Sequence, residues 1–145
     1  MKVVGQSTPT LGSDLDRLLK RLRSEARIPI ERITGAQTAA ITIVPIPSAQ
    51  FRKVAPTAAC FVRANVSSWD EYRTRRKDAS TFWNTLRKRT RMAIFLPNDV
   101  SPQETRDCLH EEIAQALGPV NDLYRLSDSI FNDDNFHTVL TGYDM

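Results

Sequence analysis

The sequence predicts an α+β fold in which a small twisted mixed sheet packs against two main helices, followed by an irregular C-terminal part. Three short runs rich in β-branched and apolar residues predict the strands, and two segments with helical periodicity predict the main helices. The chain has 145 residues, of which 41% are hydrophobic and 26% are charged, as expected for one globular domain. No apolar run approaches the roughly 20 residues that a membrane span requires.

The first main helix is predicted to follow an irregular N-terminal segment. Ser13 and Asp16 have the spacing of a capping box, in which two side chains satisfy backbone N–H groups at a helix start. Four leucines then fall on one helical stripe: Leu15, Leu18, Leu19 and Leu22. We expect this helix to end near Ala26, because Pro29 restricts the residue before it to extended geometry.

Three strands are predicted in the middle of the chain. The first covers residues 39–44, and Pro45 should end it because proline cannot donate a hydrogen bond to a strand ladder. The second lies within residues 58–66 and the third within residues 92–97. Both are rich in residues that favour a pleated, half-buried surface.

Residues 68–91 are predicted to form a basic insertion within the domain. Between Arg73 and Arg91 there are eight basic residues and one acid, Asp78. Basic charge near aromatic rings is typical of surfaces that bind nucleic acid or anionic polymers. The alternative is a solvated insertion whose apolar side chains pack inward, and the helical spacing of Phe82, Trp83 and Leu86 favours it. With a net charge of +3 and no recognised motif, we do not expect nucleic-acid binding.

The second main helix, predicted at residues 102–117, is the best-defined element in the sequence. Ser101 is its N-cap, Pro102 takes the first helical position and Glu104 completes a capping box. Gly118 with Pro119 ends it. One face should enter the core: Leu109, Ile113, Ala116 and Leu117. A second arc of the helix carries a cysteine and three polar or acidic residues: Cys108, Glu111, Glu112 and Gln115.

The two cysteines, Cys60 and Cys108, leave two possibilities open. Their spacing does not match paired metal ligands, and Cys108 has no activating base at a fixed helical spacing. They are either two small buried thiols or one disulfide that joins a strand to the second main helix. A disulfide would close a loop of 49 residues, counting both ends, and stabilise the fold by about 4 kcal/mol through chain entropy. Export from the cytoplasm would favour the disulfide.

The second arc resembles the zinc-binding helix of matrixin-type metzincins. "EEIAQALGPVND" follows their pattern H-E-x-x-H-x-L-G-x-x-H, with a substitution at every ligand. Three residues occupy the degenerate metal-ligand positions: Glu111, Gln115 and Asn121. Glu112 coincides with the catalytic glutamate, and Leu117 with Gly118 coincides with the turn toward the third ligand. In this frame His110 is out of register and points away from the site.

The C-terminal residues extend the resemblance to one family. "DSIFND" at 128–133 resembles the turn beneath the metal in metzincins, with Phe131 in place of the usual methionine. "LTGYDM" resembles the start of their last helix. Together with "CLHEEIAQALGPVND", these segments resemble a bacterial domain-of-unknown-function family, number 2927, which is grouped with the zincin-like metallopeptidases. The resemblance is specific over residues 108–145 and general upstream.

This resemblance implies a single zincin-like domain over residues 1–145, truncated at both ends. The spacing of Thr141 and Asp144 agrees with that expectation, because it resembles a capping box with no helix after it. Members of the family are typically exported or lipid-anchored, with cysteines consistent with a bridge. The implied location is therefore periplasmic or extracellular, with a lipid anchor in the full-length protein, and the implied disulfide is Cys60–Cys108.

The substituted positions imply a site that does not use zinc. Zincins hold Zn²⁺ with three neutral imidazoles and leave one position for water, from which the glutamate takes a proton. Gln115 and Asn121 offer amide oxygens, and Glu111 and Asp122 offer carboxylates, which suit calcium or magnesium better. We therefore expect no zinc and no required cofactor. A hydrogen bond between Glu111 and Gln115 could fix the local geometry instead, and the alternative is an exposed acidic helix face with no site.

Two functions follow as hypotheses. In the first, the protein is a catalytically silent zincin-like domain, a pseudo-metallopeptidase that binds a peptide or an anionic envelope polymer in the former active-site cleft. In the second, it is an atypical metal-dependent peptidase or hydrolase with Glu112 as general base, which requires a strongly shifted carboxyl pKa. In either, Gly118, Asp122 and Phe131 would support the turn around the site.

Overall fold

The computed structural model describes residues 1–119, 122–132 and 137–145. Within these ranges the chain has a four-stranded mixed sheet and four α-helices, which confirms the predicted α+β class. The strands are β1 (Lys2–Val3), β2 (Ile41–Ile46), β3 (Phe61–Ala64) and β4 (Met92–Pro97). The helices are α1 (Leu11–Ser24), α2 (Ser48–Phe51), α3 (Trp69–Arg75) and α4 (Pro102–Leu117). None of these described helices has the length and apolar character needed to cross a membrane.

The sheet places β3 at one edge, in the order β1-β2-β4-β3. β1, β2 and β4 run parallel, whereas β3 is antiparallel to β4. Every residue of β2 and β4 is buried, as expected for strands that are covered on both faces. The short strand β1 lies in the N-terminal segment for which the sequence predicted no element. Two residues carry too little pattern for a strand to be predicted.

Two hydrophobic layers cover the two faces of the sheet. On one face, α1 and α4 pack against sheet residues such as Ile43 and Ile94, and the predicted leucine stripe of α1 is buried there. On the other face, five aromatic rings form a cluster: Phe51, Phe61, Trp69, Tyr72 and Phe95. Their tilted and edge-on contacts add to the stabilisation that burial provides. The two main helices are therefore α1 and α4, as predicted.

Helix α1 begins earlier than its predicted capping box. Thr10 is the N-cap residue and makes no side-chain cap hydrogen bond, while Ser13 lies in the first turn and donates its hydroxyl to the Thr10 carbonyl (2.9 Å). Leu11 is only 1% exposed and extends the leucine stripe by one turn. The predicted Ser13–Asp16 box is therefore wrong, because burial of Leu11 outweighs a local capping preference.

Pro45 does not end β2, contrary to prediction, and the strand continues to Ile46. The Ile43 carbonyl accepts a hydrogen bond from the Val4 N–H, whereas the Ile46 carbonyl accepts one from the Asn98 N–H beyond β4. Backbone groups of odd-numbered β2 residues are therefore directed toward β1. Because β1 ends at Val3, no β1 carbonyl requires an N–H at Pro45.

Residues 68–91 contain α3 and a 3-10 helix at Ala79–Thr81. The helix predicted through Phe82, Trp83 and Leu86 does not form, and these residues lie in turns and irregular structure. Trp83 and Leu86 nevertheless pack against the core between the sheet and the two main helices. Their inward packing is confirmed, although the helical period that predicted it is wrong. Phe82 instead lies against the Arg63 guanidinium, whose carbon is 4.3 Å from the ring centroid.

The described residues after α4 form turns, with no helix or strand in 122–132 and 137–145. The predicted pairing of Thr141 with Asp144 is present, because the Thr141 N–H donates to the Asp144 carboxylate (2.8 Å). The Ser129 hydroxyl and the Ile130 N–H donate to the same carboxylate. Burial alone would raise the pKa of Asp144, but these hydrogen bonds outweigh it and lower the pKa. Asp144 thereby holds residues 141–144 against the turn at 128–132.

Candidate functional site

Hydrogen bonds at both ends fix α4, the helix that carries the candidate site. The Ser101 hydroxyl accepts from the Glu104 N–H (3.2 Å), and the Glu104 carboxylate accepts from the Ser101 N–H (2.9 Å), which confirms the predicted capping box. At the other end, Arg89 donates to the carbonyls of Ala116 (3.1 Å) and Leu117 (3.2 Å). Helix C-termini leave such carbonyls without intrahelical partners. The helix therefore has a defined start, end and orientation.

A disulfide joins α4 to the edge strand. Cys60 directly precedes β3, Cys108 lies in the first half of α4, and their Cα atoms are 5.9 Å apart across the bridge. The structure thus decides between the two possibilities that the sequence left open. Both cysteines are buried, and the bridge holds β3 beside the arc that carries Glu111 and Glu112.

Among the described residues of the site, Glu112 has the pKa that is shifted furthest from its ordinary value. Its side chain points into the protein, and the residue is only 3% exposed. The backbone of Val62 in β3 hydrogen-bonds its carboxyl group, while the Oε2 atom has no partner among the described residues. Burial, and secondarily the negative charge of Glu111, raises the pKa of Glu112 to about 8. The carboxyl group is therefore mainly protonated at neutral pH.

Glu111 and Gln115 form the hydrogen bond that the sequence suggested. The Gln115 Nε2 atom donates to the Glu111 Oε1 atom at 3.4 Å, one helical turn apart. Glu111 is partly buried, and its pKa is raised by burial and then by Asp122 and Asp107. The bond is long and its acceptor is crowded by other acids. It therefore orients Gln115 more than it stabilises the helix.

The donor atoms at this place do not suit zinc. The Cys60 sulphur and one carboxylate oxygen each of Glu111 and Glu112 lie within 4.8 Å of one another. Cys60 is oxidised in the disulfide, so it offers no thiolate. What is left is two carboxylates and the Gln115 amide, which are hard oxygen donors, whereas metzincin-type zinc sites use three imidazoles. The same oxygens fit a harder cation better.

The other predicted site residues follow α4 along the chain. Gly118 ends α4 and donates its N–H to the Ala114 carbonyl (3.1 Å), and Asp122 is exposed after it. Phe131 is 5% exposed and belongs to the core that α1 and α4 share. Asn121, the third degenerate ligand position, lies outside the described residues. The structure thus brings Glu111, Glu112 and Gln115 together, and it places Phe131 in the core rather than at an open surface.

Asp107 is a residue of the site region that the sequence did not single out. It lies one helical turn before Glu111 and accepts a hydrogen bond from the Gln103 amide (2.6 Å). Burial and the charge of Glu104 raise the pKa of Asp107, against the effects of Gln103, Thr138 and Arg106. The signal was present in the sequence, because Glu104, Asp107 and Glu111 recur at helical spacing.

His110 is turned away from this arc, as the frame of the motif implied. It is 7% exposed, and its Nδ1 atom accepts a hydrogen bond from the Leu140 N–H (3.0 Å). Burial, followed by the positive charges of Arg21 and Arg106, lowers its pKa to about 4. His110 is therefore neutral at physiological pH and has a structural role between α4 and the C-terminal residues.

We expect His110→Ala to lower the free energy of unfolding by about 1–3 kcal/mol at pH 7, because it leaves a buried N–H without an acceptor. In His110→Gln the glutamine side chain can accept the same hydrogen bond, so this variant should lose less of the free energy of unfolding. The unfolded histidine takes up a proton below its ordinary pKa of 6.5, whereas the folded one does so only near 4. The advantage of wild type over His110→Gln should therefore shrink by about 2 kcal/mol between pH 7 and pH 4.5. Urea unfolding at both pH values measures this, and an advantage that does not change with pH would contradict it.

Comparison with known proteins gives a family and no individual relative. No curated protein and no solved structure matches the chain closely enough to count as a relative. The family model for DUF2927, described as a protein of unknown function, matches residues 1–145. The match includes both bridged cysteines and the whole of α4. This chain is therefore a member of the DUF2927 family.

Proposed function

We propose that this protein is a catalytically silent zincin-like domain, a pseudo-metallopeptidase, that binds an extended peptide beside α4. The observation that carries the proposal is the position of Glu112, the residue that matches the catalytic glutamate of metzincins. It is 3% exposed and bonded to the backbone of Val62. A general base must reach the proton that it removes, either directly or through one water. A carboxyl group held inside the protein by β3 does not meet that requirement.

The histidine content supports the loss of zinc chemistry. A metzincin-type zinc site needs three imidazoles, whereas the chain contains two histidines. One of them, His110, accepts a hydrogen bond from Leu140 on another side of α4. Among the described residues, the acidic or sulphur-bearing side chains clustered with Glu112 are those of Glu111 and of Cys60, which is oxidised in the disulfide. Hydrolysis by a zinc-bound water is therefore not the activity that we propose.

The outer edge of β3 supports peptide binding. The Asn65 N–H donates to the Arg91 carbonyl (2.8 Å), so the odd-numbered residues of β3 face β4. Val62 and Ala64 then direct their backbone groups away from the sheet. An extended peptide can add to such an edge through main-chain hydrogen bonds. The bond from Val62 to Glu112 occupies one of these groups, and Ala64 is 0% exposed, so a ligand strand adds here only after the residues that cover the edge move aside.

The charge near α4 favours a peptide over an anionic envelope polymer. Asp107 and Glu111 lie along the same side of the helix, and the pKa of each is raised partly by its acidic neighbours. A polyanion would add to this repulsion. The disulfide supports a periplasmic or extracellular location, because such bonds persist in oxidising compartments.

One observation favours the second candidate, a metal-dependent hydrolase that uses Glu112 as general base. A pKa of about 8 lies in the range where a carboxyl group exchanges protons near neutral pH. That activity would require β3 to move so that the carboxyl group becomes accessible. The two candidates therefore differ in whether Glu112 is ever exposed to a substrate.

Two assays on the purified domain test the proposal. In the first, reduced and carboxymethylated casein is incubated with the protein and with added Zn²⁺, Ca²⁺ or Mg²⁺, and we expect no cleavage. Cleavage that Glu112→Gln abolishes would establish the hydrolase instead. In the second, fluorescein-labelled ten-residue peptides of alternating Thr and Val are titrated by anisotropy. We expect binding that is lost when alternate peptide nitrogens are methylated, because methylation removes the main-chain donors. Equal affinity of methylated and unmethylated peptides would contradict strand addition.

A further inference from the structure

A small cavity of about 250 Å³ lies beside the disulfide, between α4 and the segment that leads into β3. It is smaller than the roughly 300–1,000 Å³ of typical small-molecule sites, so its size suits a single side chain of a partner. Besides the two bridged cysteines, five apolar residues line it: Phe51, Ala58, Ala59, Pro97 and Val100. The lining is therefore mostly hydrophobic.

Three carboxylates line the α4 side of this cavity. They belong to Glu104, Asp107 and Glu111, which recur at helical spacing along one side of the helix. Arg52 is the one cation in the lining, and its charge acts on Glu104 and on Asp99. Arg106, which is not in the lining, acts on Asp107, and no lining cation acts on Glu111, so the net charge of the lining is negative.

We propose that this cavity binds a lysine or arginine side chain of the peptide that lies along β3, an inference that rests on the proposed function. Such a side chain has an apolar stem, which can pack on the cavity lining, and a cationic head, which can pair with Asp107 and Glu111. An acidic side chain would be repelled, and an aliphatic one would offer these carboxylates no opposite charge. Charge complementarity therefore selects the basic residue.

The position of the cavity agrees with this assignment. Ala58, Ala59 and Cys60 line the cavity and directly precede β3 along the chain. A peptide that follows the outer edge of β3 therefore reaches the cavity at the end where the strand begins. Glu112 is not part of the cavity lining, so binding does not require the buried carboxyl group.

A matched peptide series tests the inference. Fluorescein-labelled ten-residue peptides of alternating Thr and Val carry Lys, norleucine or Glu at one central position, and affinity is measured by anisotropy. We expect the Lys peptide to bind about tenfold more tightly than the norleucine peptide and the Glu peptide to bind most weakly. The Lys preference should shrink as salt rises, because ions screen charge pairs near the surface.

Protein variants identify the carboxylates responsible. Asp107→Asn with Glu111→Gln should remove the Lys preference and leave norleucine affinity within about twofold of wild type. The matched control, Asp16→Asn with Asp70→Asn, removes the same charge from side chains that are 60% and 89% exposed. The control should keep the preference. Circular dichroism and thermal unfolding establish that each variant is folded before affinities are compared.

The outcomes separate this inference from the proposed function. Binding of the Lys and norleucine peptides with equal affinity would overturn the cavity assignment while leaving strand addition in place. If no peptide binds, the proposed function fails, and the cavity is tested directly with Nα-acetyl-lysine methylamide by two-dimensional NMR. Shifts confined to residues 104–111 and 58–60, and absent with the norleucine analogue, would support the cation pocket. Their absence would overturn it.

Discussion

Replacing Cys60 and Cys108 together with alanine is expected to lower the free energy of unfolding by about 4 kcal/mol. The two residues are 48 positions apart, so the bridge restricts a long loop of the unfolded chain. It also links an edge strand to α4, two elements that otherwise meet through hydrophobic contacts and the bond between Val62 and Glu112. Typical domains are stable by only about 5–15 kcal/mol, so this loss is a large fraction of the total.

Denaturant unfolding of wild type and the double variant, each with and without reductant, measures this effect. Alanine is used because serine would place hydroxyl groups where Cys60 and Cys108 are buried. Reductant should destabilise wild type to the level of the double variant and leave the variant unchanged. A loss below about 1 kcal/mol would contradict the expectation and indicate that the unfolded chain is already restricted in this loop.

Replacing Glu112 with glutamine is expected to stabilise the protein at neutral and alkaline pH. The folded state keeps the carboxyl group protonated up to a pKa of about 8, whereas the unfolded state ionises near 4.5. A group whose pKa is raised on folding contributes stability that is complete below the unfolded value and is lost as pH rises toward the folded value. Wild type therefore loses about 3 kcal/mol from this group between pH 4 and pH 7, and glutamine does not ionise.

The measurement is the difference in unfolding free energy between Glu112→Gln and wild type at pH 5, 7 and 9. We expect Glu112→Gln to be more stable than wild type by less than about 1 kcal/mol at pH 5 and by about 3 kcal/mol at pH 7. The gain should be somewhat larger at pH 9. Glu111→Gln is the matched control, because Glu111 is less buried and should give a smaller gain. A destabilised Glu112→Gln at pH 9 would show that the ionised carboxylate has a partner, as the hydrolase hypothesis requires.

Local signals predicted the elements that position the site. The capping box of Ser101 and Glu104, with Pro102 inside the helix and Gly118 after it, gave the bounds of α4 correctly. These signals are reliable because each joins groups that are close in sequence. The local argument failed for Ser13, where burial of Leu11 moved the start of α1. It also failed for Pro45, where the end of β1 removed the need for a backbone donor.

The sequence predicted which residues form the candidate site, but not how deeply each of them is buried. Helical spacing placed Glu111, Glu112 and Gln115 on one arc of α4, and the structure has the predicted hydrogen bond between Glu111 and Gln115. Spacing did not show that Glu112 would be buried against Val62 while Glu111 remained partly exposed. A helix pattern gives the direction of a side chain but not the element that covers it.

The sequence by itself determined the α+β class, the leucine stripe of α1, the bounds of α4 and the arc of residues around Glu111. Each of these depends on periodicity or on hydrogen bonds between near neighbours, which are written in short segments. Only the tertiary structure decided that Cys60 pairs with Cys108, that the pKa of Glu112 rises to about 8 and that a cavity with acidic residues lies beside the bridge. These properties arise where β3 meets α4, two segments far apart in the chain, and burial and electrostatic fields exist only once such segments are packed together.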